Sequence, residues 1–196
     1  MSLKQKIIAE TRKLFSLKGY VATSINDILE ACNISKGGLY NHFKSKEHLF
    51  NAVLEDARRI WRIRNMGGLE EIKSPVMKLI ALINNYQNRY ITDVGSFPGG
   101  CIFINLSIDL DDKIPHLAEL VNRGFRGFKR LIYNLLIEAK QKNELKRNIN
   151  IEEVCEIINA VLIGGAVSYS QEKSKQKLNK TISALENYIK SYMKQS

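Results

Sequence analysis

The sequence predicts an all-α fold in which a small N-terminal helical domain precedes a larger helical C-terminal domain. Apolar residues recur every three or four positions along most of the chain, which is the spacing of amphipathic helices. Candidate N-caps such as Ser45 precede these segments, and Gly67-Gly68 interrupts the pattern. We therefore expect a small first domain over residues 1–48, a connecting helix over 45–64 and a second domain over 65–196.

The composition is that of a globular protein that favours polyanionic partners. The apolar fraction of 44% allows a sizeable core, and the net charge is +10. Residues 1–64 hold 12 Lys and Arg against 6 Asp and Glu, whereas residues 65–196 hold 18 against 14. The positive charge is therefore densest in the first third of the chain. It favours either nucleic acid or an anionic membrane surface as the partner.

No segment predicts secretion or a membrane span. The first residues carry no apolar stretch typical of a signal peptide. The longest apolar run, residues 160–167, is far shorter than the ~20 residues that a spanning helix requires. The three cysteines have neither disulfide nor zinc spacing, which favours a reducing compartment. We expect a soluble cytoplasmic protein without a cofactor or metal.

The first three helices are defined by their terminal residues. Gly19 is expected to end helix one, because glycine is common just after a helix C-terminus. Thr23 or Ser24 offers the N-cap of helix two, with Asp27 in the first turn, where negative charge suits the helix dipole. Ser35 then caps helix three.

Five further helices are predicted after Gly68. The segment 101–110 is ambiguous, because its apolar residues alternate as in a strand. A lone strand has no partner in an otherwise helical chain, so we expect a short buried helix there. The others begin at Pro75, at Pro115 (the longest), at Ile151 and shortly before Leu178.

The segment 35–43 is too polar on one side for a core helix. Leu39 and Phe43 are expected to face inward. Tyr40 and His42 could simply pack while the lysines are solvated, but that leaves two mid-helix glycines and the local charge unexplained. Small residues let a helix backbone approach a DNA groove, and donors reach phosphates. The residues of this outward surface are Lys36, Gly37, Gly38, Tyr40 and His42.

Residues 28–50 closely resemble the N-terminal DNA-binding domain of the TetR family of transcriptional repressors. The matching words are Ser35-Lys36-Gly37-Gly38-Leu39-Tyr40-Asn41-His42-Phe43 and Lys44-Ser45-Lys46-Glu47-His48-Leu49. The segments 15–20 and 23–25 also fit, so the match covers roughly residues 3 to 60. The resemblance implies a helix-turn-helix domain on a C-terminal ligand-binding and dimerisation domain. It also implies a homodimeric repressor that a small molecule releases from a palindromic double-stranded DNA operator.

The resemblance also implies which residues contact DNA. Base recognition is expected to rest on Lys36, on Leu39 or Asn41, and on DNA shape, because Gly38 occupies a position that often holds Thr or Ser in the family. The implied contacts are Thr23 and Ser24 to phosphate, Lys36, Gly37 and Gly38 near base edges, Tyr40 and His42 to phosphates, and Lys46 with the start of helix four to another phosphate.

An effector cavity and a dimer interface are expected in the C-terminal domain. Helix-turn-helix heads usually read two half-sites through a two-fold axis, and the last two helices carry much apolar surface. The candidate interface residues are Val161, Gly165, Tyr169, Ile182, Leu185 and Ile189. The family likeness implies a cavity, although an aromatic stripe is more often plain packing. The candidate cavity residues are Tyr86, Tyr90, Phe97, Cys101, Asn105, Phe125 and Phe128.

Cys101 supports an alternative function. It follows Gly99-Gly100 and precedes a predicted helix, whose dipole can lower a thiol pKa. The stretch 100–109 is similar to a Gly-Cys segment of one TetR subgroup, which implies a repressor that senses electrophiles or oxidants through this thiol. A small buried core residue is the simpler interpretation.

Other classes of protein fit the sequence less well. No nucleophile–base pair, phosphate-binding loop or metal-ligand set is visible, so we do not expect an enzyme. A nonspecific nucleic-acid or membrane-surface binder would share the positive charge, but it would show no preference for a palindromic site.

Overall fold

Nine α-helices and one π-helical turn make up the fold in the computed structural model, which describes residues 1–194. This part of the chain contains no β-strand, and none of its helices has the length and apolar character to cross a membrane. The helices are α1 (Leu3–Lys18), α2 (Ile25–Cys32), α3 (Lys36–Tyr40), α4 (Lys46–Met66), α5 (Pro75–Asn85), α6 (Ile102–Leu110), α7 (Pro115–Gln141), α8 (Ile151–Glu172) and α9 (Lys175–Ser191), with the π-helical turn Tyr86–Ile91 directly after α5.

The predicted all-α fold is confirmed, including the ambiguous segment before Pro115. Residues 102–110 form α6, which buries Ile102, Ile104, Leu106 and Leu110 and leaves Ile108 70% exposed. A helix satisfies its backbone donors and acceptors internally, so this apolar segment needs no neighbouring strand.

The predicted helix ends are also confirmed in detail. Gly19 ends α1 with φ +78°, a conformation that L side chains rarely adopt. Ser24, and not Thr23, is the N-cap of α2, and its hydroxyl accepts the Asp27 N–H. Asn33 ends α2 in the left-handed region at φ 50°, which starts the turn into α3.

The chain divides into two compact units, and this division differs from the boundary expected at residue 65. The first unit combines Met1–Arg62 with Asp93–Asn122, and the second combines Ile63–Thr92 with the chain from Arg123 onward. The segment around α6, expected in the C-terminal domain, therefore folds with the N-terminal helices. Both α4 and α7 contribute to both units.

Hydrogen bonds at the buried Ser16 hold this segment against α1. The Ser16 hydroxyl donates to the Gly100 carbonyl at 3.2 Å and accepts the Gly99 N–H at 3.0 Å. The Asn105 side-chain amide donates to the Ser16 carbonyl at 2.6 Å. A Cβ at position 99 would overlap the Ser16 backbone, so glycine is required for this approach.

Arg12 adds a second set of contacts between α1 and the same segment. Its guanidinium forms a largely buried ion pair with Asp56 of α4 and donates to the Ser96 carbonyl at 3.3 Å. It also lies 5.6 Å from the ring centroid of Phe97. Removing the Asp56 carboxylate would leave the Arg12 guanidinium largely buried without its charge partner, whereas Asp56 also pairs with Arg59 at 2.7 Å. The contacts of Arg12 therefore help to specify how α1, α4 and the loop before α6 meet.

Helices α8 and α9 pack against each other in the second unit. A Cβ at Gly165 would lie 3.6 Å from Leu178 and 3.7 Å from Thr181, so α9 covers this part of α8 closely. Leu178, Ile182, Leu185 and Ile189 of α9 are buried. The apolar stripe of α9 is therefore used within the protomer.

Candidate nucleic-acid interface

The short helix α3 is held in place from its ends and from one side. The Ser35 hydroxyl accepts the Gly38 N–H at 3.2 Å and so caps the helix. Leu39 is only 2% exposed, and Phe43 just after the helix is buried as well. A five-residue helix has little stability of its own, so these contacts fix its orientation and leave its other side outward.

The outward side of α3 exposes backbone at Gly37 and Gly38. A Cβ at Gly37 or Gly38 would meet only the Ser35 hydroxyl and the Ile34 side chain, at 3.6 Å or more. Nothing inside the described protein therefore requires glycine at these two positions. Glycine in a helix costs roughly 1 kcal/mol relative to alanine, so the missing side chains point to an external surface that approaches the backbone.

Three predicted DNA contacts flank these glycines on the surface. Lys36 is exposed and Tyr40 is 42% exposed, whereas His42 is half-buried. Asn41, one of the residues considered for base recognition, is also exposed. Donors therefore surround a strip of bare backbone, which is the arrangement needed for phosphate contacts on either side of a groove.

Leu39 and Thr23 do not fit the DNA-contact roles expected for them. Leu39 belongs to the core and its side chain cannot reach a base edge. Thr23 is fully buried, and its hydroxyl donates to the Gly19 carbonyl at 2.6 Å. Leu39 therefore stabilises the domain by packing in its core, and Thr23 does so through its hydrogen bond to Gly19.

Ser24 is exposed at the N-terminus of α2 and forms a capping box with Asp27. The Ser24 hydroxyl accepts the Asp27 N–H at 3.1 Å, and the Ser24 N–H donates to the Asp27 carboxylate at 2.6 Å. The Lys18 ammonium, 2.8 Å from that carboxylate, and the bonds from Ser24 lower the pKa of Asp27 to about 2. These hydrogen bonds and the ion pair with Lys18 fix the position of the first residues of α2.

Lys46 forms its contacts inside the domain. Its ammonium donates to the Tyr20 carbonyl at 2.6 Å and lies 4.1 Å from the centroid of the Tyr20 ring. Burial lowers the pKa of Lys46, although Asp109 and Asp27 oppose that shift. The predicted phosphate contact would require this ammonium to leave the Tyr20 carbonyl or to share it.

Family models match both parts of the chain. The model described as "Bacterial regulatory proteins, tetR family" matches residues 7–53, and "Tetracyclin repressor-like, C-terminal domain" matches residues 75–185. The protein belongs to the TetR family. The resemblance seen in residues 28–50 is therefore confirmed, and the chain is a helix-turn-helix transcriptional regulator of a family that is not enzymatic.

Individual known proteins are similar over nearly the whole chain. The transcriptional repressor DhaR of Mycobacterium sp. (strain GP1) is 21% identical over 93% of this chain and 90% of its own length. A TetR regulator from Chloroflexus aurantiacus superposes with a TM-score of 0.89 at 27% identity, covering 99% and 97% of the two chains. AibR, crystallised with isovaleryl coenzyme A and operator DNA, has the same fold, with a TM-score of 0.73, 15% identity and coverage of 95% and 97%.

The residues expected to line an effector cavity are divided between the two units. Tyr86 and Tyr90 are buried in the π-helical turn of the second unit, and Tyr86 stacks on Phe128 with centroids 5.7 Å apart. Phe125 belongs to the same unit and is half-buried. The first unit holds the buried Phe97 and Cys101 and also Asn105, whose amide nitrogen bonds the Ser16 and Gly99 carbonyls.

Five of the six residues proposed for the dimer interface are buried within one protomer. A Cβ at Gly165 of α8 would meet Leu178 and Thr181 of α9, and the side chains of Tyr169, Ile182, Leu185 and Ile189 are buried. These side chains are covered within the protomer. Val161 alone retains partial exposure.

An open cleft of about 380 Å³ lies in the second unit. None of the seven candidate cavity residues lines it. Its lining residues come from α7 and α8 and are Arg126, Lys129, Arg130, Tyr133, Glu152, Cys155 and Glu156.

Several residues that shape the DNA-binding unit carried no signal in the sequence. Ser16, Arg12 and Asp109 act through partners 84 to 88 positions away along the chain. No local periodicity or motif reports such distances. The one usable signal is a polar residue on the inward side of α1, such as Ser16, because a buried hydroxyl needs a hydrogen-bond partner.

The depressed pKa of Asp27 predicts a pH-dependent stability. A carboxylate whose folded pKa lies below its ordinary 3.8 stabilises the protein above that value, and the contribution is lost as pH falls toward 2. Asp27→Asn should therefore lower the urea midpoint at pH 7, and its difference from wild type should shrink as the pH falls from about 4 to about 2. Glu30→Gln, an exposed carboxylate on the same helix, is the control and should change little. An Asp27→Asn midpoint equal to wild type at pH 7 would contradict the assignment.

Proposed function

We propose that this protein is a homodimeric repressor that binds a palindromic operator and is released by a small molecule. The observation that carries the proposal is the capped, outward-facing α3, whose two glycines have no role inside the described protein. The family membership supports the same function. AibR has this fold and was crystallised with both an acyl coenzyme A and operator DNA, which is consistent with a DNA-binding head and an effector-binding body.

The charges of the N-terminal region support binding to the phosphate backbone. This region holds most of the excess positive charge, with 12 Lys and Arg against 6 Asp and Glu in residues 1–64. Cations of this kind supply the salt-dependent part of DNA affinity, whereas the donors on α3 read the groove. Lys36 and Asn41 are the exposed residues near Gly37 that we propose for base contacts.

Gly37→Ala tests whether the α3 backbone approaches DNA. The added methyl should leave the free energy of unfolding unchanged or raise it by up to about 1 kcal/mol, because alanine favours helix. DNA affinity should nevertheless fall by roughly tenfold or more, which corresponds to about 1.4 kcal/mol. Fluorescence anisotropy with a duplex selected from a random library measures the affinity, and urea denaturation measures the stability.

Gly127→Ala is the matched control for this experiment. Gly127 lies in α7, and a Cβ there would meet no described atom within 4 Å. The Gly127→Ala protein should gain the same helix stability as Gly37→Ala and keep the DNA affinity of the wild type. If Gly37→Ala binds as tightly as Gly127→Ala, α3 does not enter the groove with this face.

An exposed stripe on α8 is the surface that we propose for dimerisation. Ile157 is 42% exposed, and Ala160, Gly164 and Ser168 follow it at spacings of three and four residues. A Cβ at Gly164 would meet no described atom within 4 Å, so its face of α8 is open in the protomer. Small residues allow close approach of a second α8 around a two-fold axis.

Gly164→Glu should therefore produce monomers. The two-fold axis would bring the two introduced carboxylates close together, where they would repel each other and lose their hydration. This cost would exceed the free energy gained from the contacts of the small side chains. Gly124→Glu places the same side chain on α7 in similarly open space and should leave the dimer intact. Sedimentation velocity distinguishes the two states, and a persistent Gly164→Glu dimer would place the interface elsewhere.

The effector is proposed to act by shifting a two-state equilibrium. The aromatic group of Tyr86, Tyr90 and Phe128 is the part of the second unit best suited to an apolar ligand. Because α4 and α7 belong to both units, a ligand-dependent displacement of either helix reaches the DNA-binding unit through continuous backbone. A coupling of about 1–3 kcal/mol is typical of such systems.

Modification of Cys101 is the second candidate for the releasing signal. The residue lies directly after Gly99 and Gly100, whose backbone is bonded to Ser16 of α1. Conjugate addition of an electrophile would form a bond from Sγ to carbon, and the thiol proton would pass to the neighbouring carbon of the acceptor. The enlarged side chain would then strain this close contact with α1.

Cys101→Ser tests this candidate. N-ethylmaleimide should release wild type and the control Cys155→Ser from DNA, whereas Cys101→Ser should stay bound. Both thiols are buried, with Cys101 5% and Cys155 1% exposed. Equal release of all three proteins would exclude sensing through Cys101.

A further inference from the structure

The C-terminal end of α6 touches the loop that leads into the helix-turn-helix. The Asp109 carboxylate accepts the Val21 N–H at 2.8 Å, and Asp109 is largely shielded, with an 18% exposed side chain. Val21 lies in the loop between α1 and α2. A backbone donor of the DNA-binding head is therefore satisfied by a side chain from a segment almost ninety residues later.

The loop is built closely around this carboxylate. A Cβ at Gly19 would lie 2.6 Å from Asp109 Oδ2, so only glycine fits there. Lys46 holds the next carbonyl, that of Tyr20, from the α4 side at 2.6 Å. The Thr23 hydroxyl closes the loop internally on the Gly19 carbonyl. Asp109 and Lys46 thus fix the loop from two different helices.

The loop ends at Ser24, the exposed N-cap of α2 and a predicted phosphate contact. A displaced loop would move Ser24 and the first N–H groups of α2, which are the groups that a phosphate would meet. The charge of Asp109 acts in the opposite sense, because a carboxylate in a DNA-binding unit repels the phosphate backbone. Geometry and charge therefore predict opposite effects for its removal.

We propose that Asp109 is a positioning residue for DNA binding, which holds the α1–α2 loop from α6 so that the start of α2 meets the phosphate backbone. The proposal rests on the proposed function, since it concerns the same DNA surface. It assigns to α6 a direct part in shaping that surface. The carboxylate also lies 3.8 Å from the Lys113 ammonium, but it holds the loop as a hydrogen-bond acceptor.

The test compares three variants on the duplex that the wild-type protein enriches from a random-sequence library. Asp109→Ala removes the acceptor and the charge, whereas Asp109→Asn removes the same charge and keeps an oxygen that can accept the Val21 N–H. Asp112→Ala removes an exposed carboxylate nearby that has no hydrogen bond or ion pair among the described residues. Urea denaturation confirms that each variant is folded under the binding conditions.

We expect Asp109→Ala to bind roughly tenfold more weakly, in line with the loss of one charge-assisted hydrogen bond. Asp109→Asn should bind within about twofold of wild type, and Asp112→Ala should bind as tightly or slightly more tightly. The slope of log affinity against log salt should be the same for Asp109→Ala and wild type, because no cationic contact is lost. Asp109→Ala binding as tightly as wild type, or Asp109→Asn binding as weakly as Asp109→Ala, would overturn the proposal.

Hydrogen exchange of the wild-type protein gives an independent readout that needs no DNA. The Val21 amide should exchange more slowly than that of Ala22, which donates to no acceptor among the described residues. Equal exchange of the two amides would overturn the proposal even if Asp109→Ala fails to fold. A wild-type protein that enriches no duplex would instead refute the proposed function, and the Val21 result would stand apart from it.

Discussion

The hydrogen bonds of Ser16 are the constraint on which the DNA-binding unit depends. One buried hydroxyl on α1 accepts the Gly99 N–H and donates to the Gly100 carbonyl, and the Ser16 carbonyl accepts the Asn105 amide. These contacts lay the start of α6 against α1. The far end of α6 then reaches the α1–α2 loop through Asp109. A segment remote in sequence thereby becomes part of the framework that presents the helix-turn-helix.

This framework explains how α3 can be helical although it has only five residues, two of them glycine. Two glycines in a five-residue helix would not hold a helical conformation in isolation. The Ser35 cap and the buried Leu39 and Phe43 supply the order from one side. The aromatic cluster of Phe15, Tyr20 and Phe50 supports α1 and α4 behind it, with ring centroids 5.2 to 6.2 Å apart. The stability resides behind α3, so its outward face is available for recognition.

The sequence predicted what is determined locally. The helices, their caps and the break into helical segments follow from side chains within a few residues of one another, as Ser24, Ser35 and Gly19 illustrate. The surface assignments were less successful where the same residue type can either pack in the core or contact a partner. Leu39 was counted as both core and contact, and the stripe of Ile182 and Leu185 was assigned to a second copy although it is buried within the protomer. Periodicity identifies an apolar face, but it does not say which helix buries it.

Native-state hydrogen exchange tests most directly whether residues 93–122 belong to the DNA-binding unit. The amides of α1 and α6 should exchange through one cooperative opening, with the same free energy and the same dependence on urea, because the Ser16 contacts join the two helices. The isolated opening of α6 at a lower free energy, with α1 still protected, would contradict the account. It would show that α6 is an independent element and that the helix-turn-helix is complete without it.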